Sequence, residues 1–324
     1  MYLPPNLRCA ARFLAMAFLM IAGAGCAHQR PEKPLQRYEY AQLHMGVQAR
    51  LIVYAPSQEV ADAAARAAYA RVAELEQIAS DYRPTSELMQ LCLNAGQGPV
   101  KVSPELFQLL SFAQDVARRS DGGFDVTVGP YVQLWRAARK SQQIPESNKL
   151  DATRTLVGWR HVHLDAKHQT VTLDLPGIRL DLGGIAKGYA GDEAIRVLKE
   201  HGIRSGLFEA GGDIVVSDAP PGKKGWNVEV VNPNGKRTVD LANRGISNSG
   251  DTEQFVEIDG KHYSHVVDPR TGIGLTERYA ATVIAPNGIT SDALSTAATV
   301  VGPEHASQLV KQYRGAKVYI RKVG

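Results

Sequence analysis

The stretch Asp181-Leu-Gly-Gly-Ile-Ala-Lys-Gly-Tyr-Ala-Gly191 constrains this chain more than any other. Ile178, Leu180 and Leu182 alternate with Arg179 and Asp181, which predicts a strand, and paired glycines interrupt it. Helical spacing then runs through Ile195 and Leu198 to a stop at Gly202. Glycine lets backbone approach a ligand closely, and the first free N–H groups of a helix favour negative charge. Lys187 adds a mobile cation in that first turn, so the stretch reads as an anion site. The same residues could instead form a plain turn that packs a strand on a helix, and the remaining stretches must decide.

Residues 1–25 have the layout of a secretory signal: Arg8 and Arg12, an apolar run from Phe13 to Ile21, then Ala22-Gly-Ala-Gly before Cys26. Small residues ahead of a cysteine resemble a bacterial lipobox, which makes Cys26 the expected lipidation site. Lipidation would tether the mature chain to a membrane surface. Removing two arginines lowers the formal charge from +4 to +2, which is no nucleic-acid footprint. Of the three cysteines, Cys9 leaves with the signal and Cys26 carries the lipid, so Cys92 stays unpaired and a disulfide framework is excluded. Residues 26–42 read as a tether, with 43–324 as the functional domain.

Within that domain, Met45 to Tyr54 alternates as a first strand and Ala61 to Ile78 has helical spacing. Ser80 to Leu88 reads as a polar loop carrying Tyr82. A second helix opens at Ser103-Pro104-Glu105 and stops at Asp121-Gly-Gly123. Phe124 to Trp135 reads as extended, with Asp125 and Thr127 on one side. His161 to Leu164 and Thr170 to Leu173 predict a hairpin leading into the strand at 178–182. Glu209 and Asp213 flank Gly211-Gly212, a bulge or a close backbone approach within one strand. Gly245-Ile-Ser-Asn-Ser-Gly250 carries small polar groups suited to a phosphate or ribose. Glu253 to Val267 forms a hairpin turning at Asp259-Gly260 and ending in Ser264-His265-Val-Val-Asp268-Pro-Arg270. After a strand at Tyr279 to Ala285, a helix from Ser291 to Gly302 puts Asp292, Ser295 and Thr296 on one face, hard oxygen donors that suit Mg²⁺ or Ca²⁺.

Seven segments stand in order along the chain: Ser80-x-Tyr-x-Pro-x-Ser-Glu-Leu, Gly123-Phe-Asp-x-Thr-Val-Gly-Pro, Asp181-Leu-Gly-Gly-Ile-Ala-Lys-Gly-Tyr, Glu209-Ala-Gly-Gly-Asp, Ser247-x-Ser-Gly, Tyr263-Ser-His-x-x-Asp-Pro-x-Thr-Gly and Ser291-Asp-Ala-Leu-Ser-Thr. Together they resemble the ApbE family, the FAD:protein FMN transferases. The resemblance covers Met45 to Ile320. It implies an α+β fold with a mostly antiparallel sheet core, packed helices, and FAD in a cleft between the 45–135 region and the β-rich remainder. FAD would contact Met45, Tyr82, Gly123, Phe124, Asp125, Asp181, Lys187, Glu209, Gly211, Gly212 and Val267. Mg²⁺ would be held by Asp292, Ser295, Thr296 and the carbonyl of Gly184.

The implied chemistry is transfer of FMN from FAD to a threonine hydroxyl of an exported or membrane redox protein, with release of AMP. His265, set beside Asp268 in its motif, is the expected general base, because imidazole titrates in the useful range. The same residues would serve a metal-dependent FAD pyrophosphatase giving FMN and AMP, or a non-catalytic FAD-binding lipoprotein. The expected location is the periplasmic face of the bacterial cell envelope, on the inner membrane. Three positions depart from the family pattern: Val47 for Thr, Val126 for Pro, and Arg136-Ala-Ala-Arg139 where Gly and Phe are usual.

Overall fold

The computed structural model describes residues 34–232, 235–250 and 255–323; the signal segment and Cys26 lie outside the described residues. Strands β1 (Gln36–His44) and β2 (Val47–Ala55) form a hairpin that leads into α1 (Gln58–Ala79). Helix α2 (Glu87–Leu93), strand β3 (Val100–Lys101) and α3 (Pro104–Arg119) follow. A 3-10 turn over Val126–Val128 runs into α4 (Gly129–Ser141), then α5 (Ser147–Arg154), β4 (Val162–Asp165) and β5 (Thr170–Leu173). Helix α6 (Ala186–Glu200) precedes β6 (Gly206–Ala210), β7 (Asp213–Val216), β8 (Trp226–Asn232), β9 (Gly235–Leu241) and β10 (Arg244–Ser249). Last come β11 (Phe255–Ile258), β12 (Lys261–Ser264), β13 (Tyr279–Ala285), α7 (Gly288–Lys311) and β14 (Lys317–Lys322).

The seven-stranded sheet has the order β1-β2-β6-β7-β10-β13-β14, and every pair in it is antiparallel. The α+β expectation therefore holds. Period-two alternation divides the side chains between two cores. Leu51 and Val53 of β2, with Phe208, Val215 and Val283, pack under α1, α6 and α7. Ile52, Leu207, Val216, Ile246 and Ile284 point the other way, where the β8–β9 ribbon covers them with Trp226, Val228, Val230 and Leu241. Both faces of the sheet are thus dry, and function is left to its ends and loops.

Several expectations are corrected. Residues 36–42, read as tether, lie in β1, whose register with β2 runs from Gln36 opposite Ala55 to His44 opposite Val47. Met45 is not in the strand but in the turn, at φ 50°. Residues 178–182 form no strand: Ile178, Leu180 and Leu182 are buried as their alternation requires, yet the backbone has no strand beside it. Leu180 N–H donates to Cys92 Sγ at 3.3 Å and Asp181 N–H to the Val126 carbonyl at 2.8 Å. Asp125 is extended, but Val126 to Trp135 is helical, because Asp125 caps the 3-10 turn and proline at the start of α4 pre-sets helical φ. Part of the supposed loop after Ser80 is α2, capped by Ser86, whose hydroxyl accepts from Met89 N–H at 3.1 Å. Gly211-Gly212 is neither bulge nor break within a strand. It is a two-residue hairpin turn with φ of 57° and 87° between Ala210 and Asp213, which only glycine adopts freely.

Candidate active site

Helices α6 and α7 cross where neither has a side chain. A Cβ on Gly188 would sit 2.1 Å from the Gly288 carbonyl oxygen, and one on Gly288 would sit 2.3 Å from that of Gly188. Two helix starts can therefore meet at backbone distance. Asp192, one turn along α6, accepts from Gly288 N–H at 2.6 Å and Ile289 N–H at 2.9 Å, while Asn287 caps the same end through Thr290 N–H. The crossing brings Asp292 against Gly188, whose N–H donates to Asp292 Oδ2 at 2.9 Å.

Lys187 sits between two acids: its Nζ lies 3.2 Å from Asp213 Oδ2 and 3.9 Å from Asp292 Oδ2, and it donates to the Gly183 carbonyl at 2.9 Å. The side chains of Asp213 and Asp292 are only 5% and 4% exposed. One cation thus faces two buried carboxylates, and Asp213 Oδ1 has no hydrogen-bond partner at all. Burial, with Asp213 beside it, pushes Asp292 up to about 7. Burial lowers the affinity of Lys187 for its proton, but the two carboxylates outweigh it and hold the ammonium charged. Leaving a buried charge unpaired costs several kcal/mol, and here two carboxylates share one ammonium.

The glycine loop forms the other wall. A Cβ on Gly184 would lie 3.0 Å from Thr296 Oγ1 and 3.3 Å from Phe124. Gly184, Thr296 and Phe124 therefore meet. Ser295 donates its hydroxyl to the Asp292 carbonyl at 2.9 Å, which leaves its oxygen lone pairs available. Gly123 is pressed against Val301 of α7. Asp125 is turned inward: its Oδ1 accepts from Thr127 N–H at 2.8 Å and Oγ1 at 2.6 Å, and Thr127 Oγ1 accepts from Gly158 N–H at 2.7 Å. Burial holds the Asp125 carboxyl above its ordinary range.

Two hairpin tips complete that end of the sheet. The β2–β6 register pairs Ala49 with Ala210, so Met45 and Gly211-Gly212 share an end, and Gly211 approaches Val47. Asn248 donates to the Gly212 carbonyl at 3.2 Å and accepts from Thr282 Oγ1 at 2.6 Å, while Ser247 is buried against Ser291, Oγ to Oγ 2.9 Å. Ser247 and Asn248 of the Gly245–Gly250 stretch thus spend their polar groups within the fold. Glu209 does not join the cluster. It sits opposite Arg50, which donates to it through Nε at 2.9 Å, and alternation points it away from Asp213.

His265 lies just beyond β12, and Asp268 is held through both carboxylate oxygens by Arg270, Nε and Nη2 each at 2.9 Å. Val267 is buried and bridges to Gly274. This loop is pinned to α4, since Trp135 Nε1 donates to the Gly272 carbonyl at 2.8 Å and Gly272 rests on the Tyr131 ring. A cleft of about 610 Å³ separates residues 268–279 from Thr299 and the following residues to His305, one turn beyond Ser295.

Sequence reasoning missed Asp192, Asn287 and Gly288, and it left Asp213 without a role. Asp192 was legible in principle, being four residues after Gly188 on one helix face. Asp213 was not, because only the hairpin turn aims it at Lys187.

Across residues 45–320 the sequence matches the model of the ApbE family. An FAD:protein FMN transferase of Escherichia coli (strain K12) is 32% identical over 255 residues, covering 76% of this chain and 72% of that protein. One from Treponema pallidum is 32% identical over 317 residues, covering 91% and 87%. Among solved structures, the apo form of Pseudomonas stutzeri flavinyl transferase ApbE superposes with a TM-score of 0.78 at 27% identity, over 90% of this chain and 92% of that one. The flavin transferase ApbE from Vibrio cholerae gives 0.76 at 26% identity, over 90% and 97%. A family match that spans every element from the turn at Met45 to β14, with relatives alike in sequence and fold, has one consequence: this chain belongs to the ApbE family.

Proposed function

We propose that this chain is an FAD:protein FMN transferase acting on a threonine hydroxyl of an exported redox protein, with AMP as the leaving group. The observation that carries the reading is the Lys187–Asp213–Asp292 cluster at the crossing of two helix starts, in a chain whose relatives are FAD:protein FMN transferases. FAD fits the site's chemistry. The Lys187 ammonium suits a pyrophosphate, and the glycine loop allows close approach.

The residues also fit a divalent cation. Two buried carboxylates face a single lysine, and Asp213 carries an orphaned oxygen. Asp292, Ser295, Thr296 and the Gly184 carbonyl would hold Mg²⁺. When bound, Mg²⁺ supplies neutralisation of negative charge on the pyrophosphate. The protein's own residues do the rest. Lys187 orients a phosphate oxygen, and the backbone of residues 183–188 fixes the dinucleotide. The acceptor threonine Oγ forms a bond to the FMN-side phosphorus as the bond from that phosphorus to the bridging oxygen of AMP breaks. His265 takes the hydroxyl proton, and Asp268, locked by Arg270, fixes the loop that carries His265.

The test is FMN transfer to a threonine-bearing redox subunit with Asp292→Ala and His265→Ala variants. Asp292→Ala should abolish transfer, and His265→Ala should slow it by about 10²–10⁴-fold, the usual worth of a general base. Undiminished transfer by His265→Ala would remove the base assignment; undiminished transfer by Asp292→Ala would remove the site. The chain is also proposed to be lipidated at Cys26 and held at the periplasmic face of the inner membrane. Cys26→Ser should then shift it from membrane to soluble fractions, and retention in the membrane fraction would count against the anchor.

A further inference from the structure

Helix α4 carries a cation whose two arms end on different loops. Arg136 Nη1 lies 2.5 Å from Asp81 Oδ2, and its Nη2 lies 3.3 Å from Asp181 Oδ2. Between those contacts the guanidinium lies over the Tyr82 ring, 4.0 Å from its centroid. Tyr82 is nonetheless 72% exposed, so Arg136 covers part of the ring and most of its surface faces solvent.

An exposed tyrosine on a loop ordinarily samples several rotamers, and ordering it costs entropy when a ligand stacks on it. Here that freedom is already removed. Ser80 Oγ accepts from Tyr82 N–H at 3.2 Å and from Arg83 N–H at 3.3 Å, and Ser86 Oγ donates to the Ser80 carbonyl at 2.6 Å, so the loop backbone is fixed. The ring is fixed by Arg136, which cannot swing away without unpairing two largely buried carboxylates, Asp81 at 16% and Asp181 at 12% exposure. Asp181 uses its other oxygen to accept from Gly183 N–H at 2.8 Å. One side chain therefore sets the place of an open aromatic face relative to the glycine loop.

We propose that Arg136 is a positioning residue that holds Tyr82 as a ready stacking platform for a planar ring of the dinucleotide, at a set reach from the phosphate-binding loop. The proposal rests on the FAD reading of the site. A planar guanidinium suits the task better than an ammonium, because it stacks on the ring while its fork serves both acids. The ring that stacks is either the flavin or the adenine, and the two leave different signatures: a tyrosine against flavin quenches its fluorescence, whereas a tyrosine against adenine leaves flavin emission untouched.

The experiment compares wild type, Arg136→Lys, Arg136→Ala, Tyr82→Ala and Arg136→Ala/Tyr82→Ala, with FAD affinity, bound-flavin fluorescence and the KM-against-kcat split as readouts and thermal unfolding as a control on folding. Arg136→Ala should raise KM for FAD by about tenfold with kcat within about threefold, and Arg136→Lys, which keeps the charge without the fork, should fall between it and wild type. In the Tyr82→Ala background the same change should add less than about twofold, because the platform is already gone. Loss of flavin quenching in Arg136→Ala assigns the flavin ring to the platform; weakened affinity with quenching unchanged assigns the adenine. Wild-type affinity in a folded Arg136→Ala protein, or an equal effect in both backgrounds, would overturn the proposal. If wild type itself bound no FAD in the presence of Mg²⁺, the FAD reading would fall, and this assignment with it.

Discussion

Among single residues, Asp213 and Asp292 share the one Lys187 ammonium, and Asp213 shows the consequence most directly. Its Oδ1 is buried without a partner, a cost of roughly 1–3 kcal/mol that a fold built for stability alone would not carry. Asp213→Asn should therefore raise the thermal midpoint of the metal-free protein while lowering Mg²⁺ affinity and FMN transfer by tenfold or more. A variant both less stable and fully active would contradict that role. Asp192 gives a prediction in pH. Burial outweighs its two N–H bonds and raises it from an ordinary 3.8 to about 6. An acid with a raised folded value favours the folded state while protonated, so its contribution is present below about pH 4 and is lost as pH rises to about 6. At about 1.4 kcal/mol per pH unit, Asp192→Asn should remove roughly 2–3 kcal/mol of that decline. Urea unfolding of both proteins at pH 4 and pH 7 measures it, and equal pH dependence in the two would refute the assignment.

At the scale of elements, the crossing of α6 and α7 decides whether the site exists. Gly188→Ala would set a methyl 2.1 Å from the Gly288 carbonyl and 2.7 Å from Asp292 Cβ. The first of these neighbours is backbone, so the helices must part. We expect a stability loss of about 1–3 kcal/mol in urea unfolding together with loss of transfer, because the Gly188–Asp292 bond goes with the crossing; a stable, active variant would show that the close approach is dispensable. The hairpin β11–β12, strand β13 and the break at Gly302 were legible because period, turn residues and caps agreed there. The supposed strand at 178–182 was not, because burial of Ile178, Leu180 and Leu182 produces alternation whether or not another strand lies alongside. Thr296 and Gly184 were brought together by motif order alone. Arg136 carried no sequence signal as a partner of Asp81 and Asp181, since the three lie on separate loops and a helix.

At the scale of the whole molecule, both faces of the central sheet are covered and its β1 edge is occupied by a mostly exposed strand. Without β1, the paired edge of the largely buried β2 would be open to other chains. A protein starting at residue 34 should thus stay monodisperse, whereas one starting at residue 46 should self-associate, as light scattering would show; equal behaviour would mean that β1 is a passive tail. The α+β class and the order of motifs were readable from the chain, because most of the motifs mark a turn or a helix start. How the two hairpin tips and the two helix starts converge at one end was not, since it follows from the strand order β1-β2-β6-β7-β10-β13-β14. The central claim is transfer of FMN to protein, and one measurement tests it most directly. The chain from residue 34 is incubated with FAD, Mg²⁺ and an exported redox subunit bearing an accessible threonine, then run on a denaturing gel and scanned for flavin fluorescence. Transfer requires flavin that stays on the subunit after denaturation, with one AMP released per label and no label on a Thr→Val subunit. Release of free FMN and AMP with no labelled protein, or FAD left intact, would contradict it.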